Sequence, residues 1–222
     1  LTFAATANAV LYLGATPVFA DTDMQTGNMS VDAASAKITP KTKAIVAVDY
    51  AGRPVDLNVF RALAKKHKLV FIEDAAQALG ATYRGKSVGT QADMTMFSFH
   101  PVKSITTGEG GIIVTNSEKY AQALRLFRNH GISKDAKTFV RKGHGAWYQE
   151  MQALGFNYRM PEMSAALGES QLKRLKAFIT KRRAAALRYD TLLKNIPNLF
   201  FHQRRRHRIS PHGTCIQYGS HP

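Results

Sequence analysis

One stretch of this sequence, residues 69–116, constrains the fold more than any other. It contains three apolar runs with the length and composition of buried strands, at 69–72, 94–99 and 112–114. Asp74 lies just past the first run, and Lys103 lies just past the second. Because ligands of α/β sheets bind at the carboxyl ends of the strands, these two side chains are the first candidates for a site.

The segments before this stretch alternate between strand and helix patterns. Residues 44–48 are a buried-strand run, and residues 56–67 have helical apolar spacing with Asp56 as the N-cap. Together with the run at 69–72 they form a β-α-β signature, which predicts an α/β fold with a mostly parallel sheet. We also predict a loop that enters a helix within 1–14, a strand at 15–23, and helices at 31–38, 118–130 and 162–193. Thr6 or Asn8 is the candidate cap of the first helix, Pro161 is the predicted first residue of the last one, and 132–152 is predicted as a long loop.

Asp74, Ser98 and Lys103 have side chains that suit pyridoxal phosphate (PLP). The cofactor needs a lysine for its aldehyde and a carboxylate against its pyridine nitrogen. Ser98 lies five residues before Lys103 and could donate a hydrogen bond to the phosphate. Taken singly these residues are ambiguous, since an aspartate after a strand is commonly a turn or cap and a lysine is commonly on the surface.

Four motifs carry a resemblance to a known family. They are IEDAAQALGA (72–81), FSFHPVK (97–103), TTGEGGIIVTN (106–116) and GFNYRM (155–160). Together they resemble the core of the sugar-nucleotide aminotransferases, the DegT-like branch of the fold-type I PLP enzymes. The resemblance extends from Thr2 to about Leu193. It implies a three-layer α/β/α sandwich, the large PLP-binding domain of these enzymes.

The resemblance implies a role for each matching side chain. Lys103 would form the Schiff base with PLP and act as the catalytic base and acid, and Asp74 would bind the pyridine nitrogen. Ser98 would bind the phosphate, while Phe3 would stack on the ring and Gln77 would lie against it. Asn157 would reach the cofactor phosphate of the partner subunit in a homodimer, and Arg159 is a second candidate for that role. Residues 49–54 would line the site, although a plain turn around Gly52 and Pro54 explains that segment equally well.

The resemblance also implies the activity. An amino group would pass from an amino acid, expected to be glutamate, to a keto-sugar carried on a nucleotide. The sequence of residues 97–111 most resembles that of family members which aminate UDP-linked 4-keto-6-deoxy-hexosamines. Two alternatives stay open: a related sugar dehydratase, which Lys103 argues against because those enzymes have histidine there, and a non-catalytic protein with the PLP fold.

The ends of the chain depart from the family pattern. We expect residues 1–160 to be the large domain without its start, 161–198 to be the connecting helix, and 199–222 to be an atypical tail. The first residue is Leu, so we expect the chain to begin inside a longer protein, with the phosphate-binding glycine-serine-glycine-threonine turn before it. The tail beyond Phe201 shows no strand alternation and no helical moment, which suggests a truncation or a shifted reading frame near residue 200.

Composition excludes several other functions. The net charge is +16, but the basic residues are scattered along helical segments without interleaved aromatics, which argues against nucleic-acid binding. No apolar run is long enough to cross a membrane. Cys215 is the only cysteine, so no intrachain disulfide is possible and a reducing cytoplasm is expected. His202, His207, His212 and Cys215 have spacings that fit no established zinc site, and no metal site is predicted.

Overall fold

A computed structural model describes residues 1–196 in full and the backbone of 199–201 and 216–218. The helices are α1 (Ala5–Leu11), α2 (Val31–Ala36), α3 (Leu57–His67), α4 (Glu118–Phe127), α5 (Glu162–Lys173) and α6 (Leu175–Leu193). The strands are β1 (Ala44–Val48), β2 (Val70–Asp74), β3 (Thr82–Tyr83), β4 (Lys86–Ser87), β5 (Met94–Ser98), β6 (Gly111–Val114), β7 (Ile132–Ser133), β8 (Glu150–Met151), β9 (Leu199–Phe201) and β10 (Ile216–Tyr218).

Four strands form the central sheet in the order β1-β2-β5-β6. The first three run parallel, with Val48 opposite Asp74 and Asp74 opposite Met96, and β6 pairs antiparallel with β5. The carboxyl ends of β1, β2 and β5 therefore meet at one edge of the sheet. This mixed sheet with packed helices confirms the predicted α/β class.

Helix α3 covers one side of the sheet. Asp56 caps it by accepting a hydrogen bond from the backbone amide of Val59, as the sequence predicts. Phe60 of this helix stacks on Phe71 of β2, with ring centroids 5.9 Å apart. The buried residues of this core are Ala34, Ile45, Ala47, Val55, Leu57, Phe60, Leu63, Ala64 and Phe71.

A second core packs the segment after β2 against β5. It is built from Ala75, Ala78, Ala81, Val88 and Phe97. Gly80 lies at its rim with φ +84°, and a Cβ added there would stand 2.4 Å from the Cδ1 atom of Ile179 in α6. Its left-handed backbone favours glycine at this position, and a larger residue would also displace the Ile179 side chain.

Several sequence predictions are wrong. Residues 15–23 form no strand beyond a single bridge between Thr22 and Met29. The segment 162–193 is two helices rather than one, because Arg174 adopts φ −100° and ψ 0° between them. Pro161 has extended backbone and precedes α5 as its N-cap instead of being its first residue. The N-cap of α1 is Ala4, which makes no side-chain hydrogen bond, rather than Thr6 or Asn8.

Two predicted irregular regions contain short strands. Within the predicted loop 132–152, β7 pairs with β8. At the start of the predicted tail, Leu199–Phe201 pairs antiparallel with Ile216–Tyr218. His202, His207, His212 and Cys215 lie outside the described residues. Among the helices that are described, none is long and apolar enough to cross a membrane.

Replacement of Phe60 by alanine should destabilise the protein strongly. Phe60 is 1% exposed, and its loss would leave a cavity against Phe71, so we expect the free energy of unfolding to fall by about 3–5 kcal/mol. Urea denaturation followed by circular dichroism measures this change. Val59→Ala on the same helix, where the side chain is 42% exposed, is the matched control and should change stability far less. Equal effects of the two substitutions would contradict the assignment of this core.

Candidate active site

Asp74 is fixed at the carboxyl end of β2. The hydroxyl of Thr6 donates to its Oδ2 atom at 2.7 Å, and the backbone amide of Ala76 donates to Oδ1 at 3.2 Å. The side chain is only 5% exposed. Two neutral donors therefore orient this carboxyl group without a cation paired to it in the contacts described. Thr6 was predicted as a helix cap, and instead it connects α1 to the end of β2.

Lys103 lies in the turn that follows β5. Its backbone amide donates to the carbonyl of His100 at 2.9 Å, which closes the turn, and the residue is half-buried. Within the described part of the chain, no hydrogen bond or ion pair engages its ammonium group. The side chain is thus available for chemistry, while its backbone is held.

Arg182 of α6 holds the backbone of this turn from the other side. Its Nη2 atom donates to the carbonyl oxygen of Lys103 at 2.8 Å and to that of Val102 at 3.4 Å. The guanidinium provides several donors in a fixed plane, so one side chain can bind both successive carbonyls. No sequence pattern indicates this contact, because the partners are 79 and 80 residues apart.

Ser98 is the last residue of β5 and lies opposite Gly111 of β6. Its Oγ atom accepts a hydrogen bond from the backbone amide of His100 at 3.3 Å. Because the oxygen serves here as the acceptor, its hydrogen can still be donated to a phosphate. The half-buried position is compatible with the predicted role.

Gln77 binds the loop that follows β1. Its Oε1 atom accepts from the backbone amide of Ala51 at 2.8 Å. Ala51 adopts φ 53°, a left-handed conformation that an alanine rarely takes. The hydrogen bond supports the 50–52 turn, and the predicted contact of Gln77 with a cofactor remains a prediction.

Phe3 and Asn157 lie on the surface. Phe3 is 78% exposed and comes just before α1. Asn157 is exposed and forms a single backbone bridge with Asn129, whose side-chain oxygen accepts from Nη1 of Arg159 at 2.8 Å. Their predicted contacts with a cofactor, one of them across a subunit interface, also remain predictions.

Asp49 and Glu73 form a buried acidic pair behind Asp74. Both are 0% exposed. Burial, and then the charge of Glu73, raises the pKa of the Asp49 carboxyl well above its usual range. Burial also raises the pKa of Glu73, although hydrogen bonds from Thr95 and from the backbone of Gly89 oppose that shift. Sequence reasoning missed this pair.

The segment 132–152 is organised around Glu150. Its carboxylate accepts from the backbone amides of Val140 and Arg141 at 2.6 and 3.2 Å, and from the side-chain amide of Gln152 at 2.7 Å. Desolvation acts in the opposite direction, but these hydrogen bonds lower the pKa of Glu150. The ring of His144 stacks on Tyr148, with centroids 4.1 Å apart.

The residues at this edge of the sheet fit PLP. An oriented carboxyl at Asp74, an uncommitted amine at Lys103 and a hydroxyl at Ser98 are the groups that the pyridine nitrogen, aldehyde and phosphate require. No group of three or more His, Cys, Asp or Glu side chains that could hold a metal ion occurs in the residues the structure describes.

Comparison with known proteins identifies relatives over nearly the whole chain. The model of the DegT/DnrJ/EryC1/StrS aminotransferase family matches residues 1–220. The spore coat polysaccharide biosynthesis protein SpsC of Bacillus subtilis is 41% identical over 210 residues, which cover 93% of this chain and 54% of SpsC. The UDP-4-amino-4,6-dideoxy-N-acetyl-beta-L-altrosamine transaminase of Helicobacter pylori is 43% identical over 197 residues, covering 89% and 50%.

Solved structures give the same result. Helicobacter pylori PseC, an aminotransferase involved in the biosynthesis of pseudoaminic acid, superposes with a TM-score of 0.86 at 40% identity, covering 95% of this chain and 54% of PseC. The PLP-form of Spr1654 from Streptococcus pneumoniae, a putative sugar aminotransferase by its description, has a TM-score of 0.83 at 26% identity, with 96% and 57% covered. The chain spans about half the length of the curated relatives it matches.

Replacement of Arg182 by alanine should loosen the turn that carries Lys103. Loss of a charged donor from two carbonyls should cost about 1 kcal/mol locally, which corresponds to roughly fivefold faster amide exchange. Hydrogen-exchange mass spectrometry of peptides covering 100–106 measures this. Lys181→Ala, at the exposed neighbouring position, is the control and should leave exchange unchanged. An unchanged rate in Arg182→Ala would show that the turn does not depend on the guanidinium.

Proposed function

The chain belongs to the DegT/DnrJ/EryC1/StrS aminotransferase family, and from that membership we propose that it carries the catalytic site of a PLP-dependent sugar-nucleotide aminotransferase. The enzymes of this family depend on PLP, and the solved relatives include a PLP-form. One observation carries the proposal: an oriented carboxyl at the end of β2 and an uncommitted lysine after β5 lie at the same edge of the sheet.

PLP, when bound, supplies an aldehyde and an electron-accepting pyridine ring. Lys103 would hold the aldehyde, Asp74 the pyridine nitrogen and Ser98 the phosphate. Phe3 would cover one face of the ring, and Gln77 would lie against it while it keeps its bond to the 50–52 turn. Asn157 would reach the phosphate bound by the partner subunit of a homodimer.

The chain's own residues move the proton. The Nζ amine of Lys103, released from the cofactor, would act as general base and take a proton from the Cα atom of the amino donor. As general acid it would then deliver that proton to the carbon that had carried the aldehyde. The bonds of Arg182 and His100 to the backbone of this turn keep the amine within reach during both steps. Thr6 and the amide of Ala76 orient the Asp74 carboxylate, so that it can accept the hydrogen bond of the pyridine N–H.

The proposed substrates come from the relatives. We propose glutamate as the amino donor and a UDP-linked 4-keto-6-deoxy-hexosamine as the acceptor. The names of the spore coat polysaccharide protein and of the altrosamine transaminase support a role in surface-glycan or amino-sugar biosynthesis. The single cysteine agrees with a reducing cytoplasm. We propose that residues 1–160 are the large domain, that 161–198 form the connecting helix, and that 199–222 are an atypical tail.

Reduction of the PLP complex with borohydride tests the role of Lys103. The chain incubated with PLP should show a visible absorption band, and the reduced product should carry the label on the Lys103 peptide. Lys103→Ala should lose both signals because no other lysine occupies that turn. Lys119→Ala, which removes an exposed lysine, is the matched control and should keep both.

Each contrary result has a definite meaning. A label that maps to another lysine would show that Lys103 is wrongly assigned. Absence of a band in the unmodified chain would favour the alternative of a non-catalytic protein with the PLP fold.

A further inference from the structure

Asp49 and Glu73 are brought together by the pairing of β1 with β2. Ala47 lies opposite Glu73, and the backbone amide of Asp49 donates to the carbonyl of Asp74 at 3.0 Å. Neither acidic side chain is exposed. Two carboxyl groups are therefore removed from water next to Asp74, the residue proposed to bind the pyridine nitrogen.

Each carboxyl group has one satisfied and one unsatisfied oxygen. Oδ1 of Asp49 accepts from the backbone amide of Val55 at 3.0 Å, and Oε2 of Glu73 accepts from the hydroxyl of Thr95 at 2.7 Å. Oδ2 of Asp49 and Oε1 of Glu73 are buried without a hydrogen-bond partner if both groups are ionised. Buried acceptors without a donor are costly, so this arrangement requires an explanation.

A single proton on one of the two carboxyl groups would satisfy both oxygens, because the two side chains lie within hydrogen-bonding reach of each other. An ionised carboxylate can only accept, whereas a protonated carboxyl can also donate. The titratable groups that face Asp49 are Glu73 and Asp74, both from β2. The other elements packed against the pair contribute only neutral donors, from Val55, Thr95 and Gly89. Within the part of the chain that the structure describes, no lysine, arginine or histidine acts on either carboxyl group, so two negative charges would be uncompensated.

The proton belongs on Asp49. Glu73 receives donors from the Thr95 hydroxyl and the Gly89 backbone, which favour its ionised form, while Asp49 receives one donor, from Val55. The neighbouring charge of Asp74 further disfavours ionisation of Asp49.

We propose that Asp49 is a positioning residue whose protonated carboxyl donates to Glu73, and that this pair fixes the strand end from which Asp74 presents its carboxylate. The same side chain holds Val55 and so anchors the 50–54 loop. The role assigned to Asp74 rests on the proposed function.

The shared proton makes a prediction about unfolding that needs no cofactor. The raised pKa of Asp49 means that the folded chain keeps a proton which the unfolded chain releases above about pH 4. Stability from this group is full at acid pH and is lost as pH rises towards the folded pKa. Asp49→Asn keeps an acceptor for Val55 and a donor for Glu73 but cannot titrate.

Urea unfolding of the 222-residue chain and of Asp49→Asn should be compared between about pH 5 and pH 8. The ratio of their unfolding constants should change by up to tenfold per pH unit, with the unmodified chain losing stability relative to the variant. Asp21→Asn, at an exposed position, should show no such trend. A ratio for Asp49→Asn that does not change with pH would overturn the shared proton.

The positioning role is tested at Ala76, whose amide is bound to Asp74. Asp49→Ala should speed hydrogen exchange at Ala76 roughly tenfold, and Asp49→Asn should restore the unmodified rate. PLP titration of the same variants should give weaker binding in Asp49→Ala alone. If the unmodified chain binds PLP and Asp49→Ala binds equally well, the positioning role fails while the proposed function stands. If the unmodified chain binds no PLP, the proposed function fails, and exchange at Ala76 still decides the positioning role.

Discussion

Parallel pairing of β1, β2 and β5 is the constraint on which the site depends. The backbone hydrogen bonds extend one residue beyond β1 and β2. The amide of Asp49 donates to the carbonyl of Asp74, and the amide of Ala75 donates to that of Met96. The residues just outside the strands are therefore held nearly as firmly as the sheet itself. This explains how a carboxyl group at a strand end, normally a variable position, can have a fixed direction.

The sequence predicted what is local and missed what is distant. The apolar runs located β1, β2, β5 and β6, and the Asp56 cap located the start of α3, because strand burial and capping act between near neighbours. The bond from Thr6 to Asp74 spans 68 residues, and no periodicity in the chain records it. The break at Arg174 was missed for the opposite reason. The flanking sequences are both good helix formers, and only this one residue, at φ −100° and ψ 0°, separates the two helices.

The strong positive charge of the chain takes little part in the site. The acidic groups at the sheet edge are held by neutral donors, from Thr6, Thr95 and backbone amides, and Arg182 binds carbonyls instead of a carboxylate. The ion pairs of the described residues, such as that of Lys173 with Glu169, lie on the surface, where such pairs contribute little. Hydrogen bonds in a desolvated region, and not charge pairing, therefore determine the geometry of the site.

The hydrogen bond between Gln77 and Ala51 makes the effect of a substitution at one position depend on the residue at the other, although they lie 26 residues apart in the chain. Ala51 has a left-handed backbone that costs about 1 kcal/mol for a residue with a Cβ, and the Gln77 oxygen offsets that cost. Glycine at position 51 would remove the cost, and the turn would then no longer depend on the Gln77 oxygen. Loss of Gln77 while alanine remains at 51 would leave a strained turn without support. Substitution at position 51 before position 77 therefore strains the turn less than the same two substitutions in the reverse order.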